Sequence, residues 1–167
     1  MLPLKWKIFR IVSYLHMALT VMLGAIAIQA IFSSLRYIYN VEDILGSLLL
    51  ILCPTILLTN SGINMYLLEK FYPDYQPGKK LRRFSNVLFI FTIIVTILAL
   101  GLAITGFHEM LSKRNKSQNT MVYLLAAAIG VIGITGCIIL WNQVSLRKAI
   151  RRNYEASMNK FLENDQP

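Results

Sequence analysis

Residues 84–110 read FSNVLFIFTIIVTILALGLAITGFHEM, with no carboxylate, lysine or arginine before Glu109. A helix needs about 20 apolar residues to cross ~30 Å of hydrocarbon, and this stretch exceeds that length. A strand is excluded, because no ten-residue segment alternates apolar and polar residues and an unclosed sheet leaves its backbone unsatisfied in lipid. The stretch is read as a membrane-spanning helix.

Working outward, three more runs pass the same test, at about residues 8–32, 44–68 and 120–143. Composition agrees. Apolar residues are 56% and charged residues 15% of a 167-residue chain, which is too short to bury so much apolar surface in water. The expected fold is therefore an all-α membrane protein. A four-transmembrane-helix bundle occupies 1–143, and a basic cytoplasmic tail occupies 144–167. Lys5, Lys7 and Arg10 ahead of an apolar run imitate a signal peptide, yet the run from Ile8 to Phe32 is longer than a signal core. It is read as a retained helix.

Orientation follows from the basic residues. Lys5, Lys7 and Arg10 precede the first span, and Lys70, Lys79, Lys80, Arg82 and Arg83 lie between the second and third. Arg147, Lys148, Arg151, Arg152 and Lys160 follow the fourth, so 13 lie on one side against Arg36, Lys113, Arg114 and Lys116 on the other. The larger group is cytoplasmic by the positive-inside rule, which places both termini there and the protein in the cell membrane, the inner membrane if the source is bacterial. Trp6, Tyr14, Tyr66, Tyr72, Tyr75 and Trp141 fall near the inner boundary, with Tyr37, Tyr39 and Tyr123 near the outer one.

The net charge of +9 is clustered beside apolar runs, which argues against nucleic acid and for anionic headgroups. Lys79, Lys80, Arg82, Arg83, Arg147, Lys148, Arg151 and Arg152 are the expected lipid or partner contacts. In the tail Leu146, Ile150, Tyr154 and Met158 recur on one stripe, describing an amphipathic helix that continues the fourth span or lies on the inner surface.

Depth supplies the candidate site. At ~1.5 Å per residue, His16, Asn60, Thr92 and Thr135 lie at a similar level about 12 Å inside the cytoplasmic boundary. Asn64 and Thr96 share helix faces with Asn60 and Thr92 through i, i+4 spacing. Two readings stay open. Polar side chains in lipid bond across helices as structural glue. Alternatively, His16 marks a polar binding pocket, being the only ionisable group deep in a span. Pro54 and Gly62 are expected to loosen the second helix around this level.

Small residues form a second pattern, with Ala126, Gly130, Gly133, Gly136 and Cys137 on the fourth helix and Gly24, Ala25 and Ala27 on the first. They serve either packing inside one bundle or contact with a second copy or a membrane partner.

Little supports catalysis. No acidic residue lies mid-span, and there is no phosphate loop, nucleophile elbow or metal-ligand cluster. His16 and His108 are most of a bilayer apart, so they cannot share a haem iron. Cys53 and Cys137 are read as buried hydrophobes, and Asn115-Lys116-Ser117 is a weak glycosylation match. No enzyme activity and no cofactor are expected. The leading expectation is a non-catalytic subunit, accessory or immunity-type protein acting through helix and lipid contacts. The alternative is a small transporter or channel subunit with a polar pocket.

Overall fold

The computed structural model describes residues 3–34, 40–73, 76–112 and 120–164. Among them every regular element is helical: α1 (Leu4–Ser34), α2 (Val41–Lys70), α3 (Lys79–Ser112) and α4 (Thr120–Asn164). The shortest, α2, has 30 residues, or ~45 Å at the α-helical rise. All four are long and apolar enough to cross a membrane. The predicted spans fall inside these helices, and the extra turns lie mainly at the Lys- and Arg-rich end. Arg36, Tyr37, Tyr39, Tyr75, the 113–119 loop with its Asn115 motif, and the side chain of Tyr123 lie outside the description.

Local chemistry explains the boundaries of α2. Asn40 has extended backbone (φ −117°, ψ 154°), and its N–H donates to Asp43 Oδ2 at 3.4 Å. Glu42 and Asp43 in the first turn oppose the positive end of the helix dipole. At the other end the Phe71 N–H donates to Leu67 O at 3.1 Å, and Pro73 has no N–H with which to carry the ladder on. Between them α2 continues as a helix through the buried Pro54. The fourth helix is also unbroken across residue 143, so the tail extends the last span instead of lying apart from it.

Neighbours in sequence pack as antiparallel pairs, α1 on α2 and α3 on α4, and α2–α3 and α1–α4 contacts close the bundle. The α3–α4 seam requires glycine. A Cβ at Gly133 would stand 2.7 Å from Leu100 Cδ2, and one at Gly136 would stand 3.0 Å from Thr96 Oγ1. The small face of α4 is thus occupied by α3. On α1, Gly24 lies against Pro54 of α2, whose Cβ is 3.6 Å from the position a Gly24 Cβ would take.

The main core sits at the basic end, where Trp6, Phe9, Leu67, Leu68, Ile139, Leu146 and Ile150 cluster. Trp6 is 4% exposed and packs on Phe9 and Tyr72, so its ring is part of the core at the basic end. Trp141, by contrast, is 77% exposed. A second cluster of Leu57, Val95 and Ile132 lies deeper. Toward the other end burial fades. Leu48 to Leu52 are consecutive and all 45–57% exposed, so this part of α2 is bare on every side.

Candidate functional site

The buried face of α1 carries Trp6, Phe9, Ser13, His16, Thr20 and Ala27, mostly at spacings of three and four. That spacing turns His16 inward, where it is 1% exposed and its Nδ1 lies 2.8 Å from Thr135 Oγ1. The Thr135 hydroxyl donates to its own helix, to Val131 O at 2.8 Å and Ile132 O at 3.1 Å. When that proton is held by its own helix, the hydroxyl oxygen can accept from His16 as the Nδ1–H tautomer. Gly136 makes room for this arrangement, since a Cβ there would lie 3.7 Å from His16 Cε1 as well as against Thr96.

Asn60 is placed differently from the sequence expectation. Its amide exchanges two hydrogen bonds with Gln143, both 3.2 Å, and both residues are at most 1% exposed. Gln143 stands eight residues beyond Thr135 on α4, ~12 Å along the helix. The single polar level is therefore two levels, His16–Thr135 with Thr96 beside it, and Asn60–Gln143 nearer the basic end. Thr92 joins neither, because its hydroxyl bonds to Leu88 O in its own helix at 2.8 Å. Asn64 is fully buried, and its amide has no hydrogen-bond partner among the described residues; the hydroxyls of Ser13, Ser61 and Thr96 share that condition. Burial of such groups without partners costs about 1–3 kcal/mol each.

At the basic end Lys79, Lys80, Arg82, Arg83, Lys148, Arg151 and Arg152 are exposed. Arg151 pairs with Glu155 one turn on, at 2.8 Å. Arg147 is the exception. It reaches from α4 to α3, donating from Nη1 to Asn86 Oδ1 at 2.7 Å and from Nη2 to Ser85 O at 2.8 Å and to Ser85 Oγ. Its guanidinium also covers the Phe89 ring at 5.2 Å. Beside it a cavity of about 490 Å³ opens between the Gln76–Pro77 turn, the first turns of α3 and the extension of α4.

Sequence reasoning missed Gln143, Ser85 and Asn86. Gln143 was detectable, because the stripe from Leu146 and Ile150 continues backward through Gln143, Ile139 and Gly136 on one face. Ser85 and Asn86 were not, since nothing in α3 alone shows that an arginine 62 residues away will reach them.

No known protein family, curated protein or solved structure matches this chain. Among the described residues no three His, Cys, Asp or Glu side chains are grouped to hold a metal ion. Cys53 and Cys137 are free thiols, and Cys137 is exposed instead of buried. Chemically the polar residues act as crosslinks between helices and, at the basic end, as donors facing a cavity.

Proposed function

We propose that this chain is a non-catalytic membrane subunit, inserted with its basic end and both termini in the cytoplasm, that works through helix contacts with a partner and through lipid. The carrying observation is the burial of its deep polar groups. His16, Asn60, Thr92 and Thr96 are each at most 2% exposed, so no solute-sized passage reaches them. The bonds of His16 to Thr135 and of Asn60 to Gln143 tie α1 and α2 to α4, the ordinary use of polar side chains in lipid. The bare outer part of α2 leaves apolar surface for lipid or a partner helix, which suits an accessory or immunity-type role. The 13 basic residues against four support the orientation.

A small transporter or channel subunit is the second reading, and one observation favours it. Asn64, Ser13, Ser61 and Thr96 are buried without partners among the described residues, as groups awaiting a polar solute would be. Purification in mild detergent followed by crosslinking tests the choice. A stoichiometric membrane partner or a defined self-oligomer is expected. A lone monomer whose solute flux in vesicles disappears with Asn60→Leu, while its helical content stays intact, would sink the subunit reading.

A further inference from the structure

The cavity at the basic end has a composition that the bundle's packing does not explain. Arg82, Arg147 and Arg151 all line it, together with Ser85, Asn86 and Gln76, and among the described residues the one carboxylate on its wall is Glu155. Three positive groups around one space repel each other unless an anion lies among them. Arg147 is already oriented by Ser85 and Asn86, yet those bonds leave its Nε–H and one Nη1–H without a partner among the described residues. The side chain of Arg82 has no bonding partner among them either. The cavity also borders the start of α3, the positive end of a 34-residue helix. Leu67, Leu81 and Ile150 supply an apolar wall on the same space. Its volume is in the usual range for a small-molecule site.

We propose that this cavity binds a phosphate group, and that the phosphate is the headgroup of an anionic membrane lipid. Guanidinium forks match phosphate oxygens in pairs, which favours phosphate over a simple halide. The apolar wall favours a lipid over free phosphate, because an amphiphile satisfies both halves of the lining. The inference rests on the reading that the chain is inserted with this end at the cytoplasmic boundary. It adds one defined site to the general attraction that scattered basic residues provide. Glu155 has a particular part here. Its carboxylate holds Arg151 at 2.8 Å and competes with the phosphate for it.

The test measures lipid binding to purified full-length protein in a neutral detergent, by native mass spectrometry, with phosphatidic acid, phosphatidylcholine and inorganic phosphate as probes. Phosphatidic acid should bind in preference to phosphatidylcholine, with inorganic phosphate a weak competitor. Arg82→Gln should weaken phosphatidic acid binding roughly tenfold, the worth of one charge-assisted hydrogen bond. Glu155→Gln should strengthen it, an effect that loss of folding cannot imitate, and helical content measured on each variant identifies misfolded protein. Equal binding of the two lipids, or unchanged affinity in both variants, overturns the site. Inorganic phosphate binding as tightly as phosphatidic acid overturns the lipid assignment. Alkaline carbonate extraction of the chain from membranes is scored separately. Release from the membrane defeats the insertion reading and the lipid site with it, whereas retention without lipid preference defeats the site alone.

Discussion

Asn60 and Gln143 show most directly how a single side chain matters in this molecule. Each satisfies both halves of the other's amide, so truncating one strands its partner in a buried setting. Asn60→Leu should lower stability by about 1–2 kcal/mol, read as thermal unfolding in detergent. Gln143→Leu should do the same. The double variant should lose less than the sum of the two, since removing both partners leaves no orphan. Strict additivity would mean the amides do not interact. Thr135→Val is a parallel case, because it removes the hydroxyl that His16 Nδ1 bonds at 2.8 Å and leaves that ring nitrogen buried without it. Asn60, His16 and Thr135 were legible as inward polar residues, since a polar side chain deep in an apolar run turns away from lipid. Which of them meets which was not.

Among the elements, α4 carries the sharpest expectation, because its glycines are unequal. A Cβ at Gly130 meets Ala103 Cβ at 3.5 Å, an ordinary contact, whereas one at Gly133 meets Leu100 Cδ2 at 2.7 Å and Cγ at 2.9 Å. Gly130→Ala should be neutral or stabilising by up to ~1 kcal/mol through helix propensity. Gly133→Ala should cost about 1–3 kcal/mol from overpacking, and Leu100→Ala in the same chain should recover part of it. Thermal unfolding of the three variants checks this, and an equal response at both glycines would contradict the seam described. The α3–α4 pairing has a simple register: Gly136 faces Thr96, Gly133 faces Leu100 and Gly130 faces Ala103. The small residues were legible in the sequence, but whether they served the bundle or an outside partner was not. Their direction depends on how α4 is rotated, and rotation is decided by what α3 offers.

For the whole molecule the prediction concerns sidedness. Protease added to intact cells or right-side-out vesicles should leave the end of α4 untouched, and protease added to inverted vesicles should remove it, as immunoblotting of a terminal tag would show. The uneven packing carries its own meaning at this scale. The two apolar clusters and the cross-helix bonds of His16, Asn60 and Arg147 lie toward the basic end and middle, while Leu48 to Leu52 are about half exposed on all sides of α2. On the proposed insertion, lipid tails solvate leucine as well as another helix does, so nothing forces the far end to close. The sequence by itself determined four long helices, their approximate limits and the clustering of charge. Those follow from length, apolarity and capping, which act within about 20–30 neighbouring residues. Only the tertiary structure decided that Asn60 meets Gln143, that Arg147 crosses to Ser85 and that three arginines share one cavity. The two hydrogen-bonded contacts join residues 83 and 62 positions apart, and they depend on the axial register and rotation of whole helices, quantities that no local stretch encodes.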